Sequence, residues 1–215
     1  MQNEKRWRQA DETDDFYCCN GHLEKSIYYA RTYTPGKGFG FSETNQLIAN
    51  FQMGKKAPSN RIGYRNGSID TFSQEVTDFL TSKKRSDENF LIIPMPCSKQ
   101  RSHKDYDDRI DLVAQGIAKQ CQNVEYFPIL EGDKMPAFHE SKKPRNWKSV
   151  YDSLRINEDL RRKHKSGKIL TLLDDVTTSG AHFEGARVLL HETFPENEIW
   201  GLFWAKSKSQ PPEPL

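Results

Sequence analysis

One stretch of this chain constrains its fold more than any other. Ile169-Leu170-Thr171-Leu172-Leu173 is a short, almost unbroken apolar run. Runs of this kind suit a strand buried on both faces, as in a parallel sheet. Two consecutive carboxylates follow, Asp174 and Asp175, then Val176, then Thr177-Thr178-Ser179-Gly180 and Ala181-His182. From Ala181 to Phe194 the residues Ala186, Leu190 and Phe194 recur at i, i+4 and i+8, the spacing of one helix face. The segment therefore reads as a buried strand, a turn of hydroxyls and glycine, and a helix. In an open α/β sheet, ligands bind outside the carboxyl ends of the strands. A helix N-terminus offers free N–H groups and partial positive charge, so it suits phosphate. The hydroxyls add donors, and Gly180 lets the backbone come close. The two carboxylates suit sugar hydroxyls or a water-mediated contact with Mg2+. A plain structural turn, with Thr and Ser capping the helix, explains the hydroxyls. It leaves two like charges side by side at the end of a buried strand, where they repel and need compensation.

The rest of the chain repeats this alternation from residue 69 onward. Phe72, Val76, Phe79 and Leu80 predict a helix over Ile69 to Ser82. Phe90 to Ile93 is a second apolar run, ending at Pro94, and Ile110 to Cys121 is helical in spacing. Val124 to Leu130 and Ile199 to Phe203 read as strands. Strands alternating with helices predict an α/β parallel sheet. Residues 1–68 lack that rhythm and read as an N-terminal extension and hood, with an edge strand over Ser26 to Thr34. The core is expected over 69–207 and a disordered tail over 208–215. Gly36-Lys37-Gly38-Phe39-Gly40 reads as a hairpin turn, with no helix-opening pattern behind it. It is no dinucleotide fingerprint, since GxGxxG is absent, and the chain has no P-loop.

Charge and cysteine usage narrow the function classes. Basic and acidic residues number 32 and 30, a net +2 that argues against non-specific nucleic-acid binding. No apolar run approaches the ~18–20 residues of a membrane helix, and the N-terminus opens no secretory signal, so a cytoplasmic protein is expected. Cys18, Cys19, Cys97 and Cys121 form no CxxC pair, so a zinc ribbon or disulfide framework is poorly supported. Two basic clusters follow strand ends: Lys99, Arg101, His103 and Lys104, and then Lys142, Lys143, Arg145 and Lys148 in a long loop. Both fall on the rim that carries Asp174, where they suit a ligand with several phosphates. The alternative is solvated surface charge. Arg161-Arg162-Lys163-His164-Lys165 precedes a strand and belongs to the opposite rim. Trp200 and Trp204 fit core packing. Tyr28, Tyr29, Phe39 and Phe41 fit packing better than stacking on a base.

Leu172 to Gly180 resembles the PRPP-binding motif of type I phosphoribosyltransferases. The order of other segments is similar to the ComF-like branch: Leu91 to Pro96 with its Pro-x-Pro ending, Arg101 to Ala118, Lys142 to Ile156 with Arg145-Asn146, and Trp200 to Ala205. The resemblance implies a parallel five-stranded sheet flanked by helices, with the hood at the N-terminus. It implies that Asp174 and Asp175 contact the ribose hydroxyls, with Arg101 and Lys104 as further catalytic groups. Thr177, Thr178, Ser179, Gly180, Ala181 and His182 would hold the 5′-phosphate. Cys97, Ser98, Lys99 and Arg101 would form the pyrophosphate loop, and Lys142, Lys143 and Arg145 a flexible loop. Mg2+ would be a cofactor with no direct protein ligand, reached by Asp174 and Asp175 through the ligand or water. The implied reaction moves the 5-phosphoribosyl group of PRPP to a nitrogen nucleophile of a small-molecule acceptor, and the resemblance implies a homodimer. The alternative is a non-catalytic PRPP or nucleotide sensor linked to a nucleic-acid or DNA-uptake system. Three departures mark the chain: no zinc ribbon, Lys104-Asp105-Tyr106-Asp107-Asp108 in place of Arg-Gly-Phe-Asn-Gln, and His182 where the family usually has Thr.

Overall fold

The computed structural model describes residues 7–11, 14, 16, 26–54, 57–83, 88–97, 99–132, 146–164 and 167–208. Along them run β1 (Arg8–Gln9), β2 (Ile27–Tyr33), α1 (Glu43–Phe51), α2 (Ile62–Lys83), β3 (Phe90–Pro94), α3 (Arg109–Gln120), β4 (Val124–Tyr126) and β5 (Leu130–Gly132). Then follow α4 (Trp147–Asp152), β6 (Leu154–Ile156), α5 (Glu158–Lys163), β7 (Ile169–Thr177), α6 (Ala181–Thr193) and β8 (Ile199–Ser207).

The main sheet has six strands in the order β1-β2-β8-β7-β3-β4. Only β1 runs antiparallel to its neighbour; the other pairings are parallel. β7 lies at the centre, in register with β3 from Phe90↔Ile169 to Pro94↔Leu173 and with β8 from Leu170↔Ile199 to Thr177↔Lys206. The protein is thus an α/β fold with a mostly parallel, mixed sheet.

The apolar runs are continuous because both faces of the strands are covered. Phe90, Ile92, Leu173, Trp200, Leu202 and Trp204 pack with residues of α1, α2 and α3. Leu91, Ile93, Leu170, Leu172, Ile199 and Phe203 pack with residues of α4 and α6 on the other face. Trp204 is fully buried, stacked on Phe72 of α2 at 4.8 Å with the rings 5° from parallel. Burying a side chain of this size contributes about 1.5–3 kcal/mol. Trp200, Tyr28 and Tyr29 are also buried, whereas Phe39 and Phe41 are half exposed.

Four local expectations are corrected. β2 does not sit at the rim as an edge strand, since β1 covers one side and β8 the other. The glycine stretch after it is not a hairpin turn. It is a βα loop that enters α1 at Ser42, whose hydroxyl accepts from the Asn45 N–H at 3.1 Å. The Asn45 amide donates to the carbonyls of Thr34 at 2.9 Å and Lys37 at 3.1 Å and so pins the loop. The strand expected over 124–130 breaks at Pro128, which has no N–H to give a ladder; β4 stays in the main sheet and β5 pairs with β6 in a second one. Finally, α2 begins at Ile62 rather than Ile69.

Candidate functional site

Parallel strands end on one rim, and the chain's most polar turn sits at its centre. β7 alternates its side chains between the two faces. Leu170 and Leu172 face α4 and α6, and Leu173 faces α1 to α3. The carboxylates inherit that alternation and part company. Asp174 turns toward α6, where its Oδ2 lies 3.3 Å from His182 Nδ1. Its Oδ1 accepts the Asp175 N–H at 2.9 Å. Asp175 turns toward α1 and α3. Its Oδ1 accepts the Val176 N–H at 2.8 Å, and its Oδ2 accepts from Gln52 Nε2 at 3.0 Å and pairs with Arg109 at 3.5 Å. Burial, and then the charge of Asp174, push the Asp175 carboxyl above its ordinary value; Arg109 and Gln52 pull it back.

The turn after β7 enters α6 through a glycine. Gly180 adopts φ +78°, a left-handed conformation that costs a glycine little. It has no side chain with which to cap α6, and no side-chain cap is made there. The N-cap residue thus places no side-chain acceptor on the first-turn N–H groups. Behind the turn, Lys206 at the end of β8 donates from Nζ to the Thr178 carbonyl at 2.8 Å. Thr177 is buried, Thr178 exposed, and Ser179 lies between. The residues expected at the phosphate, Thr177 to His182, are therefore gathered on one turn with both carboxylates beside it.

The β3–α3 connection is arranged differently from expectation. Arg101 does not project onto the rim. Its guanidinium pairs with Asp111 at 3.2 Å and donates to the Leu130 carbonyl at 2.6 Å. Asp111 also accepts from Tyr106 and, at 2.6 Å, from Tyr126. Burial and then the hydrogen bond to Asp111 push Tyr126 up to about 12. Arg101 thus fastens the connection to β4 and β5. Lys99 and Lys104 do reach open space: with Met53, Gly54, Asp105, Tyr106 and Asp107 they line a cavity of about 410 Å3. Lys99 pairs there with Asp105 at 3.4 Å. Cys97 is a half-buried free thiol that donates to the Lys99 carbonyl at 3.5 Å. Ser98, Lys142, Lys143 and Arg145 lie outside the described residues, as do Cys18, Cys19 and the tail from 209.

Three residues at the site were missed by sequence reading, Arg109, Gln52 and Lys206. Arg109 carried a signal. It is the first residue of α3, where a cation opposes the helix dipole. A cation at that position calls for nearby carboxylates, and it has two, Asp107 at 2.7 Å and Asp175. Gln52 follows the last residue of α1 and carried none.

Among the described residues, no group of three or more His, Cys, Asp and Glu is arranged to hold a metal ion directly. No described helix is long and apolar enough to cross a membrane. The fold and rim define an α/β protein with a polar strand–turn–helix site at the carboxyl edge of its sheet. No protein-family model matches the chain, and no curated protein matches it.

Proposed function

We propose that the chain is a phosphoribosyltransferase of the type I fold, which binds PRPP with Mg2+ and transfers the 5-phosphoribosyl group to a nitrogen nucleophile. The C1–pyrophosphate bond breaks, a C1–nitrogen bond forms, and pyrophosphate leaves. One observation carries this reading: the β7–α6 turn, where two carboxylates precede an uncapped, glycine-entered helix N-terminus backed by Lys206. The first-turn N–H groups and the hydroxyls of Thr178 and Ser179 suit the 5′-phosphate. The carboxylates are acceptors suited to ribose hydroxyls. Lys99 and Lys104 line a cavity that suits the pyrophosphate, and its lining includes Asp107, which shares Arg109 with Asp175. Catalysis then rests on positioning and on stabilising the charge of the leaving group. The donor set fits Mg2+ only as an ion carried by the ligand's phosphates and hydroxyls, where it would supply charge neutralisation for the pyrophosphate.

The test is calorimetry of Mg2+-PRPP binding, followed by pyrophosphate release across a panel of bases and amines. Binding with release, both lost in Asp174→Asn and Asp175→Asn, is the expected result. No binding at millimolar PRPP overturns the proposal. A second reading, a PRPP sensor without turnover, is favoured by one feature: Arg101, expected among the catalytic cations, is committed to Asp111 and the Leu130 carbonyl. Binding without release across the panel selects the sensor.

A further inference from the structure

Arg109 joins three segments that meet at the site. It pairs with Asp107, which precedes α3, at 2.7 Å and with Asp175 of β7 at 3.5 Å. Its guanidinium carbon lies 5.4 Å from the Phe51 ring centroid at the end of α1. Its Nε is buried without a hydrogen-bond partner. A guanidinium held by an aromatic face and two carboxylates has few orientations left.

We propose that Arg109 is a positioning residue that keeps the Asp175 carboxylate charged and aimed, so that it can accept hydrogen bonds from a vicinal diol of the bound sugar. This rests on the PRPP reading for the identity of the ligand. The groups around Asp175 make the case. Asp174 stands beside it on β7, with its own partner His182 on the opposite face. Asp107 faces it across Arg109, and Asp108 is drawn to Arg65 of α2 at 3.1 Å. From α1 comes only the neutral Gln52 amide. Arg109 is thus the one cation paired with Asp175 among the described residues. A protonated Asp175 would turn one of its acceptor oxygens into a donor. Asp107 competes for the same guanidinium, so the two carboxylates pull Arg109 in opposite senses.

The experiment follows the Asp side-chain carboxyl carbons by NMR in the full chain, with Asp175→Asn to identify the resonance. Removing a neighbouring cation moves a carboxyl midpoint by about one unit or more. Arg109→Gln should therefore raise the Asp175 midpoint, Arg109→Lys should return part of the shift, and Asp107→Asn should lower it. Calorimetry on the same proteins should give Arg109→Gln a lower affinity for Mg2+-PRPP at pH below the Asp175 midpoint, by about tenfold for each unit that the midpoint moves, since each unit is a tenfold change in the charged fraction there. That deficit should narrow as the pH rises. A midpoint unmoved by Arg109→Gln overturns the proposal, as does a shift of the same sign in Arg109→Gln and Asp107→Asn, which would report loosened packing. The titration needs no ligand. A wild-type chain that titrates as expected but does not bind PRPP overturns the functional reading, and with it the sugar diol, separately from the charge control.

Discussion

Asp175 is where function and stability pull apart within one side chain. Its carboxyl is held above the ordinary value by burial and by Asp174, so the folded state binds its proton more tightly than the unfolded state. Stability falls wherever the folded state holds more protons and the pH rises. The group's contribution is therefore lost between the unfolded value and the raised folded one. Asp175→Asn removes that loss, and Arg109 keeps Asp107 as its partner. The variant should be at least as stable as wild type in urea at neutral pH, with a flatter pH dependence, while losing PRPP binding. A second buried charge behaves in the opposite way. The Arg31 side chain is fully buried and pairs with Glu75 at 2.5 Å, and Trp204 donates to the same carboxylate at 2.8 Å. Removing one partner of a buried pair leaves a poorly compensated charge; among the described residues Arg31 would keep only the more distant Glu43, at 3.8 Å. Glu75→Ala should cost about 3–5 kcal/mol in chemical denaturation, with Glu75→Gln costing less because its amide still accepts a hydrogen bond.

The contacts between elements turn on close approaches that side-chain chemistry does not advertise. Gly185 of α6 lets α4 lie directly against it. A Cβ there would stand 2.6 Å from the Trp147 carbonyl oxygen and 2.8 Å from the Tyr151 nitrogen, both backbone. Gly132, at the end of β5, faces the Cys97 carbonyl in the same way at 2.7 Å. Gly185→Ala and Gly132→Ala should each destabilise by about 1–3 kcal/mol, the usual range for overpacking, measured as a lower urea midpoint. Gly132→Ala should also weaken PRPP binding, because it displaces the connection that carries Lys99. Elements were legible in the sequence where burial on both faces made unbroken runs, as in β3, β7 and β8. They were hidden where glycine spacing fits two structures equally, as before α1, or where one proline divides an apolar stretch, as at Pro128. The centre of the site was legible because one contiguous turn carries it. Arg109, Gln52 and Lys206 were not, since only the pairing of distant elements brings them to Asp175 and Thr178. Arg101 looked like a ligand cation because its acceptors, Asp111 and the Leu130 carbonyl, belong to a helix and a strand that sequence spacing cannot join.

At the scale of the molecule, the sheet order sets which parts depend on which. β8 lies between β2 and β7. Its Lys206 also supports the phosphate turn. Lys206→Met should keep the fold, since the aliphatic stem is retained, and weaken PRPP binding by about tenfold, the scale of one charge-assisted hydrogen bond; unchanged binding would remove Lys206 from the site. The order also bears on how the chain is made. A ribosome delivers β2 early and β8 near the end of the described chain, yet each is the other's parallel neighbour from Ile27↔Gly201 to Tyr33↔Ser207. Pairings this far apart in sequence slow folding. Until β8 emerges, β2 lacks its parallel partner, and the segments made before it must wait for a keystone that follows every other described strand.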